Sequence, residues 1–303
     1  MEPVTLSALS DELSALVRAA EAHVVRVEGR RGRAASGVAW SADGIVVTAH
    51  HVLDRDEEID VGLPSGERAV AAVVGRDPTT DVAALRVRGA GLSPAAWSDA
   101  ALAPGALVVG VTRPGKSPRA ELAVLARAAG EYRGGRGGRV DRFLETTLPL
   151  HPGVSGGLAV SAKGAPLGLL SSGLVRGSAM ILPPETLRRV VKSLLAHGEV
   201  RRGYLGLATL PVSLPAPLRA ATGEHVALLV TRVEPESPAA RAGILLGDAL
   251  LSFGGDTLQD PSELLALLAE DRIGDAVPMK VLRAGEVRDV TVTVGARGHG
   301  RAA

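Results

Sequence analysis

What most limits the fold of this chain is how often its apolar runs are interrupted. From Val24 to about Val175 strand-length runs follow one another, each cut off by Gly, Pro, Asp or Ser: HVVRVEG, SGVAW, GIVVTAHHV, EIDVGL, AVAAVVG, VAALRV, ALVVGVT and LAVLARAAG. With 37 Gly and 19 Pro in 303 residues a helical bundle is excluded, because both residue types break helix interiors and supply turns. Short strands at regular spacing predict a barrel or a sandwich. Aromatic residues are scarce, two each of Trp, Tyr and Phe, so the cores must be built from Val, Leu, Ala and Ile.

Helical patterns stand on either side of this run of strands. Leu6, Leu9, Leu13, Leu16 and Val17 recur at helical spacing, with Ser7 or Ser10 as the expected N-cap. Pro183-Pro184-Glu185 opens a second helix, with Leu187, Val190, Val191, Leu194 and Leu195 on one stripe and Gly198 as its stop. After the basic piece Val200-Arg201-Arg202 comes a smaller β-rich unit: GYLGL, VALLVTRV, EPESPAARAGI, DALLSFGGD, a helix DPSELLALLAED capped by Asp260, then PMKVLRAG and VRDVTVTV. The boundaries read as a helical segment 1–22, a β domain 23–182, a linker helix 183–201, a second domain 202–295 and a disordered tail 296–303.

Charge and composition remove several functions. Lys and Arg number 34 against 33 Asp and Glu, a net charge of +1, so the broad basic field of a nucleic-acid binder is missing. The Arg/Gly run Tyr132–Arg139 reads as a flexible activation or regulatory loop rather than an RNA-binding tract. No cysteine is present, which rules out disulfides, thiolate nucleophiles and Cys-based zinc sites. The N-terminal stretch carries Glu2, Asp11 and Glu12 with no basic segment before an apolar core, and no run of 18 apolar residues occurs. As it stands the sequence reads as cytoplasmic, without membrane contact, or as periplasmic or otherwise extracytoplasmic had a leader been trimmed.

Three segments carry chemistry, in this order: Thr48-Ala49-His50-His51-Val52, Thr80-Asp81-Val82-Ala83-Ala84-Leu85 and Gly153-Val154-Ser155-Gly156-Gly157. A serine hydroxyl needs a neighbouring base to attack at neutral pH, and an imidazole suits that task. A carboxylate behind the imidazole fixes its tautomer. Glycines around the serine let backbone N–H groups face a developing oxyanion. Gly153–Gly157 also fits the G-x-S-x-G elbow, with Asp248 or Asp256 and His299 completing a different order. That elbow must enter a helix, whereas GGLAVSAKGAPLGLL reads as two β runs about a Lys163-Gly164 turn, so we reject it.

At these residues the chain resembles the HtrA (Deg) type of trypsin-like serine protease, a chymotrypsin-like double β-barrel followed by a PDZ domain. The family pattern T-x-x-H-V selects His51 over His50, and G-R-D-x-x-T-D-x-A-x-L, present as Gly75-Arg76-Asp77 through Leu85, selects Asp81 over Asp77. The P-G-N-S-G-G pattern appears as Pro152-Gly153-Val154-Ser155-Gly156-Gly157, with Val154 in place of Asn and Leu158 in place of the following Pro. The resemblance covers roughly residues 10–295. It implies His51 as general base, Asp81 as orienting carboxylate, Ser155 as nucleophile and the amides of Gly153 and Ser155 as oxyanion hole. A β-branched Val154 raises the expectation of a stiff, inactive resting loop.

The resemblance also places a specificity pocket at Pro149, Leu150, Leu169, Leu170 and Ser171, with no acidic base. It therefore implies cleavage after small or medium aliphatic residues, in unfolded or misfolded proteins. Tyr204-Leu205-Gly206-Leu207 matches the carboxylate-binding loop of a PDZ groove, and Ser262–Leu268 the groove helix. The expected partners are protein substrates and C-terminal peptides, with no cofactor and no metal. A homotrimer is implied by the family, a monomer staying open because no aromatic residue precedes Trp40. The alternative to an endopeptidase is a protease-like scaffold acting through its PDZ domain.

Overall fold

The computed structural model describes residues 5–30, 32–89, 91–134, 138–268 and 272–297, and the chain divides into two compact units, Met1–Glu199 and Val200–Ala303. The first opens with α1 (Leu6–Glu21). Its N-cap is Thr5 rather than Ser7 or Ser10: the Thr5 hydroxyl accepts from the Ala8 amide at 3.2 Å, so the helix starts a turn earlier than the serines suggest. Leu13 and Val17 line a groove with Val109, Ala120 and Leu122.

Two six-stranded barrels follow. The first contains β1 (Val24–Arg30), β2 (Arg33–Ala39), β3 (Ile45–Ala49), β4 (Ile59–Gly62), β5 (Arg68–Asp77) and β6 (Val82–Val87). They close in the order β1-β2-β3-β6-β5-β4, with β4 pairing back to β1. The second begins with β7 (Leu107–Thr112) and β8 (Arg119–Ala129); a short hairpin, β9 (Tyr132–Arg133) and β10 (Arg139–Val140), stands apart from it. Next come β11 (Phe143–Thr146), β12 (Leu158–Ser161), β13 (Pro166–Ser171) and β14 (Ala179–Leu182), closing in the order β11-β14-β13-β12-β7-β8. Closure pairs the edges that a set of short apolar strands would otherwise expose. The cores are aliphatic: Val25, Val27, Val46, Ile59 and Leu85 in one, Leu125, Leu144, Leu148, Leu167 and Ile181 in the other. The residues after Ser155 form β12 and β13 rather than a helix, which removes the elbow reading; its His299 lies outside the described residues.

The Tyr132–Arg139 run is not an open loop where it is described. It forms the β9–β10 hairpin, Tyr132 meets Phe143 edge to face at 5.1 Å, and a Cβ on Gly138 would come within 2.1 Å of the Thr79 carbonyl oxygen. Residues 135–137 of the run lie outside the described residues. The helix expected as a linker, α2 (Pro184–His197), packs on β5, β6 and β13 inside the first unit. It buries Leu187, Val190, Val191 and Leu194 and leaves Leu195 41% exposed, so four of the five stripe residues are core. Gly198 ends the helix at φ +76, its amide donating to the Leu194 carbonyl. Asp141 ties the helix to the β10–β11 turn by accepting from Thr186 and Arg189 at 2.8 and 3.0 Å. Burial works to raise the Asp141 pKa, but Arg189 and Thr186 outweigh it and hold the carboxyl below its ordinary value.

The second unit contains β15 (Arg202–Tyr204), β16 (Leu207–Ser213), α3 (Ala216–Thr222), β17 (Val226–Val233), α4 (Pro238–Arg241), β18 (Ala249–Phe253) and β19 (Asp256–Thr257). It ends with α5 (Pro261–Leu267), β20 (Ala276–Arg283), β21 (Glu286–Thr293) and β22 (Gly295–Arg297). Its sheet runs β16-β17-β18-β20-β21, with β19 on β18, and β15 pairs with β22. Part of the tail expected to be disordered is therefore strand; residues 298–303 lie outside the described residues. Phe253, Leu228, Leu250 and Val281 centre the core. The expected cap of α5 is present and reciprocal: Asp260 accepts from the Ser262 amide at 2.8 Å while Glu263 accepts from the Asp260 amide at 3.2 Å.

Candidate active site

β3 delivers His51 into a single 3-10 turn, His50–Val52, and the β5–β6 turn delivers Asp81 beneath it. Asp81 sits at φ +60, a left-handed conformation uncommon for a residue with a Cβ. Such a backbone costs of order 1–3 kcal/mol and persists only when its surroundings enforce it. Here they do. The Asp81 carbonyl accepts from the His50 amide at 3.0 Å, and its carboxylate accepts from the His51 amide at 2.9 Å and from Nδ1 at 2.9 and 2.8 Å. Asp77 organises the turn, accepting from Thr79 Oγ1 and Thr80 Oγ1, both at 2.6 Å, while Asp81 faces the imidazole.

Ser155 lies in the loop between β11 and β12 and is 3% exposed. One three-residue segment at the end of β13 touches every member of the constellation. Ser171 Oγ donates to Asp81 Oδ2 at 2.5 Å; the Ser172 amide donates to Ser155 Oγ at 3.2 Å, and the two hydroxyls lie 2.8 Å apart. A Cβ on Gly173 would stand 2.6 Å from His51 Nδ1 and 2.7 Å from Asp81 Oδ2. His51, Asp81 and Ser155, distant in sequence, are thus gathered around residues 171–173. Among the described residues no hydrogen bond joins the imidazole to the Ser155 hydroxyl, which is held by Ser172 instead.

The loop before Ser155 is fixed by Ser36 of β2. The Ser36 amide donates to the Ser155 carbonyl at 3.2 Å, and its hydroxyl donates to the Gly153 carbonyl at 2.9 Å while accepting from the Arg113 amide at 2.8 Å. Gly153 stands at φ +95, where a Cβ would also fall 2.4 Å from the Pro114 ring. Val154 points into the second barrel's core with Leu148 and Leu170, so the β-branched side chain anchors the loop from below. Neither the Gly153 nor the Ser155 amide donates to a protein acceptor among the described residues. Arg113 is buried beside this loop, donating from Nε to the Val24 carbonyl at 2.8 Å; burial pushes its guanidinium pKa down, with Glu21 acting the other way.

The five residues expected to line a specificity pocket separate into two groups. Pro149 and Leu150 are exposed, Leu150 at 45%. Leu169 and Leu170 are fully buried, Leu170 in the barrel core, and Ser171 turns its hydroxyl to Asp81. The pleat of β13 is the reason: it spends these side chains on the interior and on the Asp81 side. Among the described residues no group of three His, Asp or Glu side chains converges to hold a metal ion, and no helix is long and apolar enough to cross a membrane.

In the second unit Tyr204 donates its hydroxyl to Glu234, and Leu205 is buried in the core with its carbonyl accepting from the Ala239 amide at 2.9 Å. Gly206 turns the chain at φ +79, and Leu207 begins β16, a strand at the end of the sheet order facing α5. A turn feeding an edge strand beside a helix is the geometry that takes an added peptide strand.

The trypsin-like peptidase domain family matches residues 35–169 and the PDZ domain family residues 203–294. The chain is 30% identical over 89% of its length to a protein of Marinomonas sp. (strain MWYL1) named "Probable periplasmic serine endoprotease DegP-like", of which the match covers 58%. The chain thus spans about half the length of the curated relatives it matches. Among solved structures, the serine endoprotease from Yersinia pestis superposes with a TM-score of 0.75 at 26% identity, covering 98% of this chain and all of that one. The HtrA-type protease AlgW, solved with a decapeptide, gives 0.76 at 25% identity over 95% of this chain and 99% of its own. The chain carries a trypsin-like peptidase domain followed by a PDZ domain, and its resemblance is to the HtrA/Deg type. Its family pattern selected His51, Asp81, Ser155 and Gly153, yet carried no signal for Ser36, Ser171, Ser172 or Gly173. Ser36 looks like any residue of a β run in SGVAW. The SSG after β13 offered a faint hint, since two hydroxyls and a glycine close a strand that returns beside the serine loop.

Proposed function

We propose that this chain is a serine endopeptidase in which Ser155 is the nucleophile, His51 the base and Asp81 the carboxylate that orients it. The observation that supports this most directly is the convergence of all three on residues 171–173. With Nδ1–H committed to Asp81, His51 Nε2 carries the lone pair. The Ser155 hydroxyl turns from Ser172 to His51, gives its proton to Nε2 and attacks the substrate carbonyl; the oxygen that gains charge is met by the Gly153 and Ser155 amides. The protonated imidazole then passes its proton to the departing amine, and water repeats the sequence to release the acid. The exposed apolar rim at Pro149 and Leu150, with no carboxylate beside it in sequence, supports small or medium aliphatic side chains before the scissile bond.

Unfolded or misfolded proteins are the proposed substrates, and the proposed PDZ groove, between β16 and α5 with the Tyr204–Leu207 turn at its end, takes their C-terminal peptides. The periplasmic relatives favour an extracytoplasmic site of action over a cytoplasmic one. No observation favours the scaffold alternative over catalysis. Casein digestion tests the reading: Ser155→Ala abolishes cleavage and fluorophosphonate labelling, and a mutant that digests casein at the wild-type rate overturns it.

A further inference from the structure

The loop that precedes Ser155 contains a histidine that the family pattern does not use. The side chain of His151 is 9% exposed and both of its ring nitrogens meet acceptors: Nδ1 lies 2.9 Å from the Pro152 carbonyl oxygen, and Nε2 lies 3.1 Å from Glu121 Oε2 on β8. A carbonyl and a carboxylate oxygen both require an N–H, and only the imidazolium supplies two. Glu121 is itself fixed, accepting from Arg119 Nε at 3.0 Å; these two are the charged groups that β8 presents at this point.

The consequence lies in the peptide that His151 holds. Every peptide in the described chain is trans, so the Pro152 C=O and the Gly153 N–H point in opposite directions. Drawing the carbonyl to the His151 ring turns the Gly153 amide away from it, and that amide donates to no acceptor among the described residues. The next carbonyl, of Gly153, is held separately by Ser36.

We propose that His151 is a positioning residue: as an imidazolium braced by Glu121, it holds the Pro152–Gly153 peptide with its N–H toward the oxyanion. The inference rests on the oxyanion role given above to the Gly153 amide. A neutral imidazole has a single N–H; kept on Nε2 for Glu121, it turns the Nδ1 lone pair on the Pro152 carbonyl, which is released, letting the peptide rotate and close the hole.

The test compares His151→Ala, His151→Asn and Glu121→Gln in the full chain, with thermal melting to establish that each is folded. Asn places an N–H close to the position of Nδ1 without a charge. The expected result is that His151→Ala lowers kcat by at least about tenfold at little cost in KM, toward the about 10²–10³-fold loss of a whole oxyanion donor. Affinity for a peptide boronate falls with it, whereas affinity for an uncleaved substrate peptide on Ser155→Ala background does not. His151→Asn recovers most of kcat, and Glu121→Gln, which weakens the brace on the ring, lowers kcat at little cost in KM. An unchanged kcat in folded His151→Ala, or an Asn variant no better than Ala, overturns the inference. Because Ser155→Ala is assayed alongside, an active Ser155→Ala marks failure of the catalytic reading itself, while an inactive one with normal His151→Ala isolates failure of the positioning role.

Discussion

Single residues set the tolerances of the site. Gly173 is the clearest, because any side chain there enters the space between His51 Nδ1 and Asp81 Oδ2. Both are held from several sides, Asp81 by the His50 and His51 amides through its carbonyl and carboxylate and by Ser171 through its carboxylate, so neither can yield without breaking a hydrogen bond. Gly173→Ala is expected to lower kcat by roughly 10²-fold, the lower part of the range supplied by a positioned base, while the melting temperature changes little. Kinetics on a chromogenic peptide check this, and a wild-type kcat would show that the imidazole and carboxylate have room to move. The motif identified His51, Asp81 and Ser155 because their chemistry demands those side chains. Ser36, Ser171 and Ser172 escaped notice because serine is common and only their neighbours across the fold make them particular. The pocket expectation for Leu169 and Leu170 met the opposite difficulty: apolar residues near a serine are equally suited to a core, and both side chains are buried.

Elements show where local sequence signals succeed and where packing overrides them. The Asp260 cap and the Gly198 stop were legible because a capping side chain and a left-handed glycine act within a few residues. Leu195 was misjudged because the width of a helix's buried stripe depends on what it packs against. The same dependence makes Asp248 consequential. It is 2% exposed, accepts from Arg283 Nε and a second guanidinium nitrogen at 2.8 and 2.7 Å, and accepts from the Leu245 amide at 2.8 Å, joining the α4–β18 turn to β20. Burial acts to raise its pKa, but Arg283 and the Leu245 amide outweigh that and hold it below the ordinary 3.8. The unfolded chain therefore takes up the proton first as pH falls, so this stabilisation is present above about pH 4 and is lost as pH drops through the folded value. Asp248→Asn should destabilise the second unit at neutral pH, since it removes the carboxylate that ties the α4–β18 turn to Arg283, and should flatten its acid unfolding below about pH 4. Urea melts across that range test it; identical curves for both proteins would remove the pair from the account of stability.

At the level of the whole chain, the two units are given two different proposed roles. The first gathers the proposed triad from both barrels; the second offers an edge strand and a turn for a peptide terminus. Gly206 is where that second role can be tested, because a Cβ there would lie 2.2 Å from the Ser237 Cβ at a φ of +79. Gly206→Ala should weaken binding of a fluorescent C-terminal peptide by at least about tenfold, or 1.4 kcal/mol, while fluorophosphonate labelling of Ser155 persists. Unchanged anisotropy titrations would place the peptide elsewhere.

The sequence by itself determined the turn-rich β architecture, the two-part organisation and the choice of the three side chains proposed as the triad. These depend on local periodicity and on residue types with few substitutes. Tertiary structure alone decided that residues 171–173 touch all three, that Val154 faces the core, and that His151 reaches both Glu121 and the Pro152 carbonyl. Those facts depend on barrel closure, which sets side by side residues with no short-range relation along the chain.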